Sequence, residues 1–243
     1  MQAIDWQARY KDKVKPASAA MKLIKSGNSI FIGTGCAQPQ HLVRSLVEYS
    51  DHIYDAHIVH LLTMGEAPYV DDKFREKFKM NSFFIADNVR HALDRGVGDY
   101  TPIFLSEIPA EFESGRIPID VALISVAPPD ANGLCSLGVS VDIVQPAAAN
   151  ARYVVAQVNS HMPRTHGNSF LHVNTIDVLV PYDEPIIEIP IDEPDETLRR
   201  IGQNVAQLVD DGSTIECGIG RIPQALAEYL VYKKDLGVHT EMF

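Results

Sequence analysis

Four runs of this chain are apolar along nearly their whole length, and helix-like stretches separate them. Ser29-Ile-Phe-Ile32, Ala56-His-Ile-Val-His-Leu-Leu62, Val121-Ala-Leu-Ile-Ser-Val126 and Tyr153-Val-Val-Ala-Gln-Val158 read as strands. A strand with apolar residues on both faces needs cover on both faces. A strand that alternates with helices returns to its sheet in parallel. The pattern predicts an α/β fold: an open three-layer α/β/α domain with a mostly parallel sheet.

The stretches between the strands support this. Residues 2–15 are polar and helix-compatible, and Ser18 to Lys25 is apolar at helical spacing, closing at Gly27. Pro39 to Ser50 carries Leu42, Val43, Leu46 and Val47 on one helical face. Further helices are expected from about Asn88 to Gly96, from Ser106 to Phe112 and from Thr197 to Val209. Short strands are expected at Ser82–Ile85 and Ile103–Leu105, with an edge strand at Ile186–Ile189. Gly138 to Asp142 fits a helix or a strand equally well. Pro181, Pro185, Pro190 and Pro194 punctuate an acidic segment that reads as a connector. The expected division is residues 1–187 as one α/β domain. Residues 188–243 are then the connector and the opening strands of a second, similar domain.

Composition narrows the function classes. The 243 residues are 46% hydrophobic and 22% charged, enough to bury a core without staples. The net charge of −11 argues against nucleic acid, whose phosphates need a basic surface. It leaves small anionic ligands open, because a local site can be positive on an acidic protein. Three scattered cysteines, Cys36, Cys135 and Cys217, supply neither a disulfide framework nor a CxxC metal pair. A polar N-terminus and the lack of a long apolar run point to a cytoplasmic protein that does not enter the membrane.

Three places can carry chemistry. Gly33-Thr-Gly-Cys-Ala-Gln-Pro39 lies between a strand and a helix, where open α/β sheets bind ligands. Gly35 and Gln38 are candidate pocket residues there. The third glycine of a dinucleotide fingerprint is replaced by Gln38, which weakens an oxidoreductase reading, and close strand–helix packing explains the glycines as well. Cys36 in this turn lacks an evident triad partner and reads as a packing thiol.

The second place is Gln157-Val-Asn-Ser-His-Met-Pro-Arg-Thr-His-Gly167, at the end of an apolar strand. Asn159 and Arg164 are candidate substrate contacts, the first a donor and acceptor, the second a fixed cationic fork. His161 and His166 are split by Pro163 and have no third ligand, so no metal is expected.

The third place is the end of the chain. Glu216-Cys-Gly-Ile-Gly220 forms a strand-to-helix turn whose amides suit a phosphate, a pantetheine carbonyl or an oxyanion. A tight turn without a ligand competes with that reading. Val238-His-Thr-Glu241-Met-Phe243 then presents a lone carboxylate. Taken together, a Gly turn and a carboxylate held beside an acyl group provide a covalent nucleophile.

At these residues the sequence resembles the acetyl-CoA hydrolase/transferase family, the glutamate-dependent class I CoA-transferases, and most closely the 4-hydroxybutyrate CoA-transferase type. The resemblance runs through Gly33-Thr-Gly-Cys with Pro39, Val158-Asn-Ser-His-Met-Pro-Arg-Thr-His-Gly167, Cys217-Gly-Ile-Gly-Arg-Ile-Pro223 and His239-Thr-Glu-Met-Phe243. It implies that Glu241 is the catalytic nucleophile and that Glu216, Cys217, Gly218, Ile219 and Gly220 contact coenzyme A. It implies acyl-CoA and short carboxylate substrates, no cofactor, no metal and self-association. Hydrolysis by the same glutamate is the nearest alternative, and a non-catalytic acyl-CoA-binding domain is one from a different class. Two departures accompany the resemblance. Relatives usually carry Gln where this chain has Glu216. They also continue into a second α/β domain as large as the first, so a missing C-terminal half or a complementary subunit is expected.

Overall fold

The computed structural model describes residues 5–190 and 193–241. The chain divides into two compact units, Met1–Glu188 and Ile189–Phe243.

The first unit runs, in chain order, α1 (Trp6–Arg9), α2 (Ala17–Ala20), β1 (Ser29–Ile32), α3 (Gln40–Glu48), β2 (Ala56–His60), β3 (Phe78–Ser82), α4 (Asp87–Asp94) and β4 (Gly98–Tyr100). It continues with α5 (Ile108–Glu113), β5 (Ile119–Val126), β6 (Leu134–Ser136), α6 (Val144–Asn150), β7 (Ala151–Val158), β8 (Phe170–His172) and β9 (Val178–Pro181). Seven strands form one sheet in the order β4-β3-β2-β1-β5-β7-β9, and every pairing in it is parallel. The expected α/β architecture is the one found.

Burial explains the strand composition. All four residues of β1 are buried, as are seven of the eight in β5. Phe31 is fully buried and meets Phe112 of α5 edge to face, with ring centroids 6.0 Å apart. Truncating such a ring costs about 3–5 kcal/mol. On the side of α3 that faces the core, Leu42, Val43 and Leu46 are buried at helical spacing.

Several local expectations need correction. The strand expected at Ser82–Ile85 ends at Ser82, because the pairing with β2 runs from Phe78 to Ser82. The outer strand is Gly98–Tyr100, not Ile103–Leu105, where Leu105 begins a short 3-10 turn. Ile186–Ile189 is not a strand, since Pro185 and Pro190 remove amides on both sides. The last strand is instead Val178–Pro181, which the proline pattern concealed. Residues 138–142 form a loop with Gly138 at φ +65°. Helix α6 went unread because it holds Pro146, which a first helical turn tolerates. Strands β6 and β8 form a small antiparallel pair outside the main sheet.

Among the described residues of the N-terminal stretch, only Trp6–Arg9 is helical. Residues 13–15 instead lie along β9, with Val14 bridged to Leu179 and hydrogen bonds of 2.9 and 3.0 Å on either side. Lys13 Nζ donates to the carbonyls of Val173, Asn174 and Ile176, which fixes this covering segment. A sheet edge is thereby shielded.

The second unit holds α7 (Glu196–Ala206), β10 (Thr214–Ile215), α8 (Arg221–Leu230) and β11 (Gly237–Val238). Strands β10 and β11 pair in parallel, and α7 packs on α8 with Gly202 against Ala225. A Cβ at Gly202 would lie 2.9 Å from the Ala225 carbonyl oxygen, so the close approach needs glycine.

Candidate functional site

In the first unit the chain builds outward from β1 through β2 and β3 to β4, then returns to β5 on the other side of β1. The turn Gly33–Gln38 therefore sits at a topological switch point, outside the carboxyl ends of the strands. Its details show what the turn is for. Gly35 has φ +57°, donates its amide to Leu62 O at 2.8 Å and forms a bridge with Thr63. The Thr34 hydroxyl donates to the Asp142 carboxylate, which also accepts from the Ile143 amide ahead of α6. Gln38 is buried. Its Nε2 donates to Glu66 O at 2.7 Å and its Oε1 accepts from Gly65 N at 3.0 Å.

The start of α3, which would receive a phosphate in a dinucleotide site, already faces a carboxylate of the chain itself. Glu184 Oε1 accepts from the His41 amide at 3.0 Å and from Gln157 Nε2 at 2.7 Å, while its Oε2 pairs with Arg44 at 2.5 Å. Burial alone would raise the Glu184 carboxyl, whose side chain is 14% exposed. Hydrogen bonds from Gln157, Arg44 and the His41 amide outweigh that and hold its pKa below the usual carboxylate value. His41 stacks on Tyr182 at 3.7 Å between ring centroids. One of the amides that an anion would use at this helix start, that of His41, is thus engaged internally.

Asn159 and Arg164 are also engaged with neighbouring loops. Asn159 is buried; its Oδ1 accepts from the amides of His161 and Glu184, and its Nδ2 donates to Glu184 O at 2.8 Å. Arg164 pairs with Asp130 at 2.9 Å and lies over the Phe170 ring, 4.6 Å from its centroid. Gly35, Gln38 and Asn159 thus shape and fasten the loops at the carboxyl edge of the sheet. Glu184 and Asp142, which do much of that fastening, carry no motif signal. Glu184 stands in a proline-rich acidic segment and looks like a solvated charge.

In the second unit the arrangement differs. The turn Glu216–Gly220 follows β10 and leads into α8. Glu216, Gly218, Ile219 and Gly220 are exposed, and a Cβ on Gly218 would meet nothing within 4 Å. Gly220 has φ +127° and ψ −179°, a conformation essentially reserved for glycine, and it precedes α8 without a side-chain cap. The ten-residue helix therefore opens with the amides of Arg221 and Ile222 uncapped by any side chain, Pro223 having none.

The His239-Thr240-Glu241 segment is fastened to this turn. The His239 amide donates to Ile215 O at 3.0 Å, continuing the β10–β11 pairing. One residue on, the Thr240 hydroxyl accepts from the Cys217 amide at 3.0 Å and donates to Cys217 O at 2.6 Å. Glu241 follows directly and is exposed. The two halves of the terminal motif are thus joined through His239 and Thr240, and Glu241 is the next residue along the chain. Met242 and Phe243 lie outside the described residues.

Comparison with known proteins shows the family. Residues 1–190 match the model of the acetyl-CoA hydrolase/transferase N-terminal domain. The chain is 39% identical over 239 residues to the 4-hydroxybutyrate coenzyme A transferase of Clostridium kluyveri, covering 98% of this chain and 56% of the relative. It is 42% identical over 223 residues to the succinyl-CoA:acetate/propanoyl-CoA:succinate CoA transferase of Fasciola hepatica, covering 90% of this chain and 46% of that protein. Among solved structures, the 4-hydroxybutyrate CoA-transferase of Porphyromonas gingivalis superposes with a TM-score of 0.82 at 33% identity, over 98% of this chain and 56% of the other. RipA from Yersinia pestis gives a TM-score of 0.89 at 28% identity, over 98% and 58%. The chain spans about half the length of the curated relatives it matches. It belongs to the acetyl-CoA hydrolase/transferase family, of which residues 1–190 carry the N-terminal domain.

Proposed function

We propose that the whole protein moves coenzyme A between a short-chain acyl-CoA and a free carboxylate, with Glu241 as the nucleophile. Acetyl-CoA, butyryl-CoA and 4-hydroxybutyryl-CoA are the acyl donors in view. The observation that supports the reading is the pair of hydrogen bonds between Thr240 and Cys217, which ties the residue before Glu241 to the residue before the Gly218–Gly220 turn.

The chemistry follows from a carboxylate in that place. Glu241 attacks the thioester carbonyl and forms an acyl-glutamyl anhydride as coenzyme A leaves as thiolate. The thiolate attacks the glutamyl carbonyl, releases the free acid and leaves a glutamyl-CoA thioester. An incoming carboxylate reverses both steps and departs as the new acyl-CoA. Each tetrahedral oxyanion needs N–H donors, and the exposed amides at the start of α8 are of the right kind. The scheme calls for no metal and no further cofactor. Glu216 through Gly220 would contact coenzyme A.

Gly35, Gln38, Asn159 and Arg164 would act mainly through the loops they hold. Large apolar residues of the second unit are exposed, among them Leu208 at 83%, Tyr232 at 82% and Val231 at 73%. We read these as surface that further polypeptide of the whole protein covers. Self-association and a cytoplasmic location are expected of the whole protein; sedimentation and cell fractionation test them. Among the described residues no helix is long and apolar enough to cross a membrane.

The decisive experiment is exchange of coenzyme A between acetyl-CoA and butyrate or 4-hydroxybutyrate by the whole protein. Borohydride treatment after incubation with acyl-CoA should modify Glu241. Binding without exchange would favour a non-catalytic acyl-CoA-binding domain, and release of free coenzyme A without an acceptor would favour a hydrolase.

A further inference from the structure

Among the described residues, five buried side-chain atoms lack a protein hydrogen-bond partner. Four of them, His60 Nε2, Thr63 Oγ1, Tyr69 OH and Asn88 Oδ1, belong to the segment that leaves β2 or to the side chain that anchors it. Asn88 is that anchor, since its Nδ2 donates to Gly65 O at 2.7 Å. Buried polar atoms without partners are rare, so four around one segment call for an explanation.

The tautomer of His60 sharpens the question. Ser82 Oγ lies 2.5 Å from Phe84 O and 3.3 Å from His60 Nδ1. A hydroxyl has one proton, and the short contact to Phe84 O takes it. Ser82 Oγ must then accept, so Nδ1 carries the imidazole proton. Burial drives the His60 pKa down to about 4, so the ring is neutral. Nε2 is left as a bare acceptor in the interior, with the Tyr69 ring 6.2 Å away between centroids. The Tyr69 hydroxyl lies toward that of Thr63. No donor of the described residues reaches Nε2, and water, with two donors and two acceptors and no charge, can donate to it while engaging the two hydroxyls. None of these side chains is charged, which disfavours a metal ion.

We infer that His60 Nε2, Thr63 Oγ1 and Tyr69 OH bind an internal water molecule beneath the segment that follows β2. The water fastens that segment at His60, Thr63 and Tyr69, while Gln38 and Asn88 fasten it at Gly65 and Glu66. Through the bridge between Thr63 and Gly35 it helps fix the turn at the switch point. The site belongs to the first unit and stands whether or not Glu241 forms a thioester.

A crystal structure of the 243-residue chain that resolves waters tests this. The expected result is an ordered water within about 3.2 Å of His60 Nε2 and of at least one of the two hydroxyls. Direct donation from Tyr69 or Thr63 to Nε2 with no water between would overturn the assignment. Two-bond proton–nitrogen NMR should find His60 protonated on Nδ1, and a proton on Nε2 would also overturn it. Tyr69→Phe and the isosteric Thr63→Val should each lower or abolish the occupancy of the water in a folded chain. Full occupancy in both variants would mean that these hydroxyls do not hold it. If one variant fails to fold, the other and the parent structure still decide.

Discussion

Thr240 and Cys217 are joined by two hydrogen bonds through a single hydroxyl, which accepts from the Cys217 amide and donates to its carbonyl. The side chain does here what the next residue pair of a parallel ladder would do. It holds the residue before Glu241 to the residue before the Gly218–Gly220 turn after the β10–β11 pairing has ended. Thr240→Val keeps the shape and loses both bonds, leaving two backbone groups to find water. The expected loss is about 1–3 kcal/mol of local stability. Amide exchange at Cys217 should speed up accordingly, and Thr240→Ser should restore most of the protection. Unchanged exchange at Cys217 in the valine variant would show that the clasp does not hold in solution.

Glu241 itself separates nucleophilic catalysis from a binding role. Glu241→Ala in the whole protein should lower coenzyme A exchange by several orders of magnitude with little effect on acyl-CoA affinity. Glu241→Asp retracts the carboxylate by one methylene, and misplacement by about 1 Å costs on the order of 10²-fold. Steady-state exchange kinetics with binding measured by calorimetry distinguish the two quantities. An alanine variant with full turnover would sink the assignment.

Glu184 should make the first unit sensitive to acid. Despite burial, hydrogen bonds from Gln157, Arg44 and the His41 amide hold its folded pKa below that of a free carboxylate. The stability it contributes is therefore fully present above that value and is lost as pH falls through the folded pKa. Glu184→Gln should cost about 1–3 kcal/mol at pH 7, where hydrogen bonds to a charged acceptor are replaced by weaker ones. Below the folded pKa the difference between parent and variant should shrink, because both are then neutral. Urea unfolding of both chains at pH 7 and at acid pH checks this. A gap that stays constant across the range would assign the cost to packing instead of charge.

The sequence was most informative where a single period decided the outcome. The runs at 29–32, 121–126 and 154–158 are buried on both faces, as strands of a covered parallel sheet are. Short outer strands were harder. Gly98–Tyr100 has little apolar content, and Val178–Pro181 ends in a proline, so long-range pairing outweighs local preference at both. At the site, glycines and the terminal motif were visible because they depend on local backbone geometry. Glu184 was not, because its partners His41, Gln157 and Arg44 lie between 27 and 143 positions away. Asn159 and Gln38 were noticed as polar residues beside a ligand site. Most of their hydrogen bonds go to neighbouring loops.

Gly35 and Gly27 offer a controlled comparison of backbone strain with steric fit. Both have positive φ, +57° and +75°. A Cβ at Gly27 would meet nothing within 4 Å, whereas one at Gly35 would lie 2.7 Å from Ser140 Oγ. Gly27→Ala should therefore cost only the left-handed penalty, about 1–2 kcal/mol. Gly35→Ala adds a clash with the loop at 138–142 and should cost more, with the excess returned when Ser140 is also changed to glycine. Denaturant unfolding of the two single variants and of the Gly35→Ala/Ser140→Gly double variant measures that coupling. Equal losses at the two glycines, with no recovery in the double variant, would mean that the Ser140 side chain moves aside freely. The turn at the switch point would then be shaped by its own backbone and the Thr63 bridge, not by the loop packed against it.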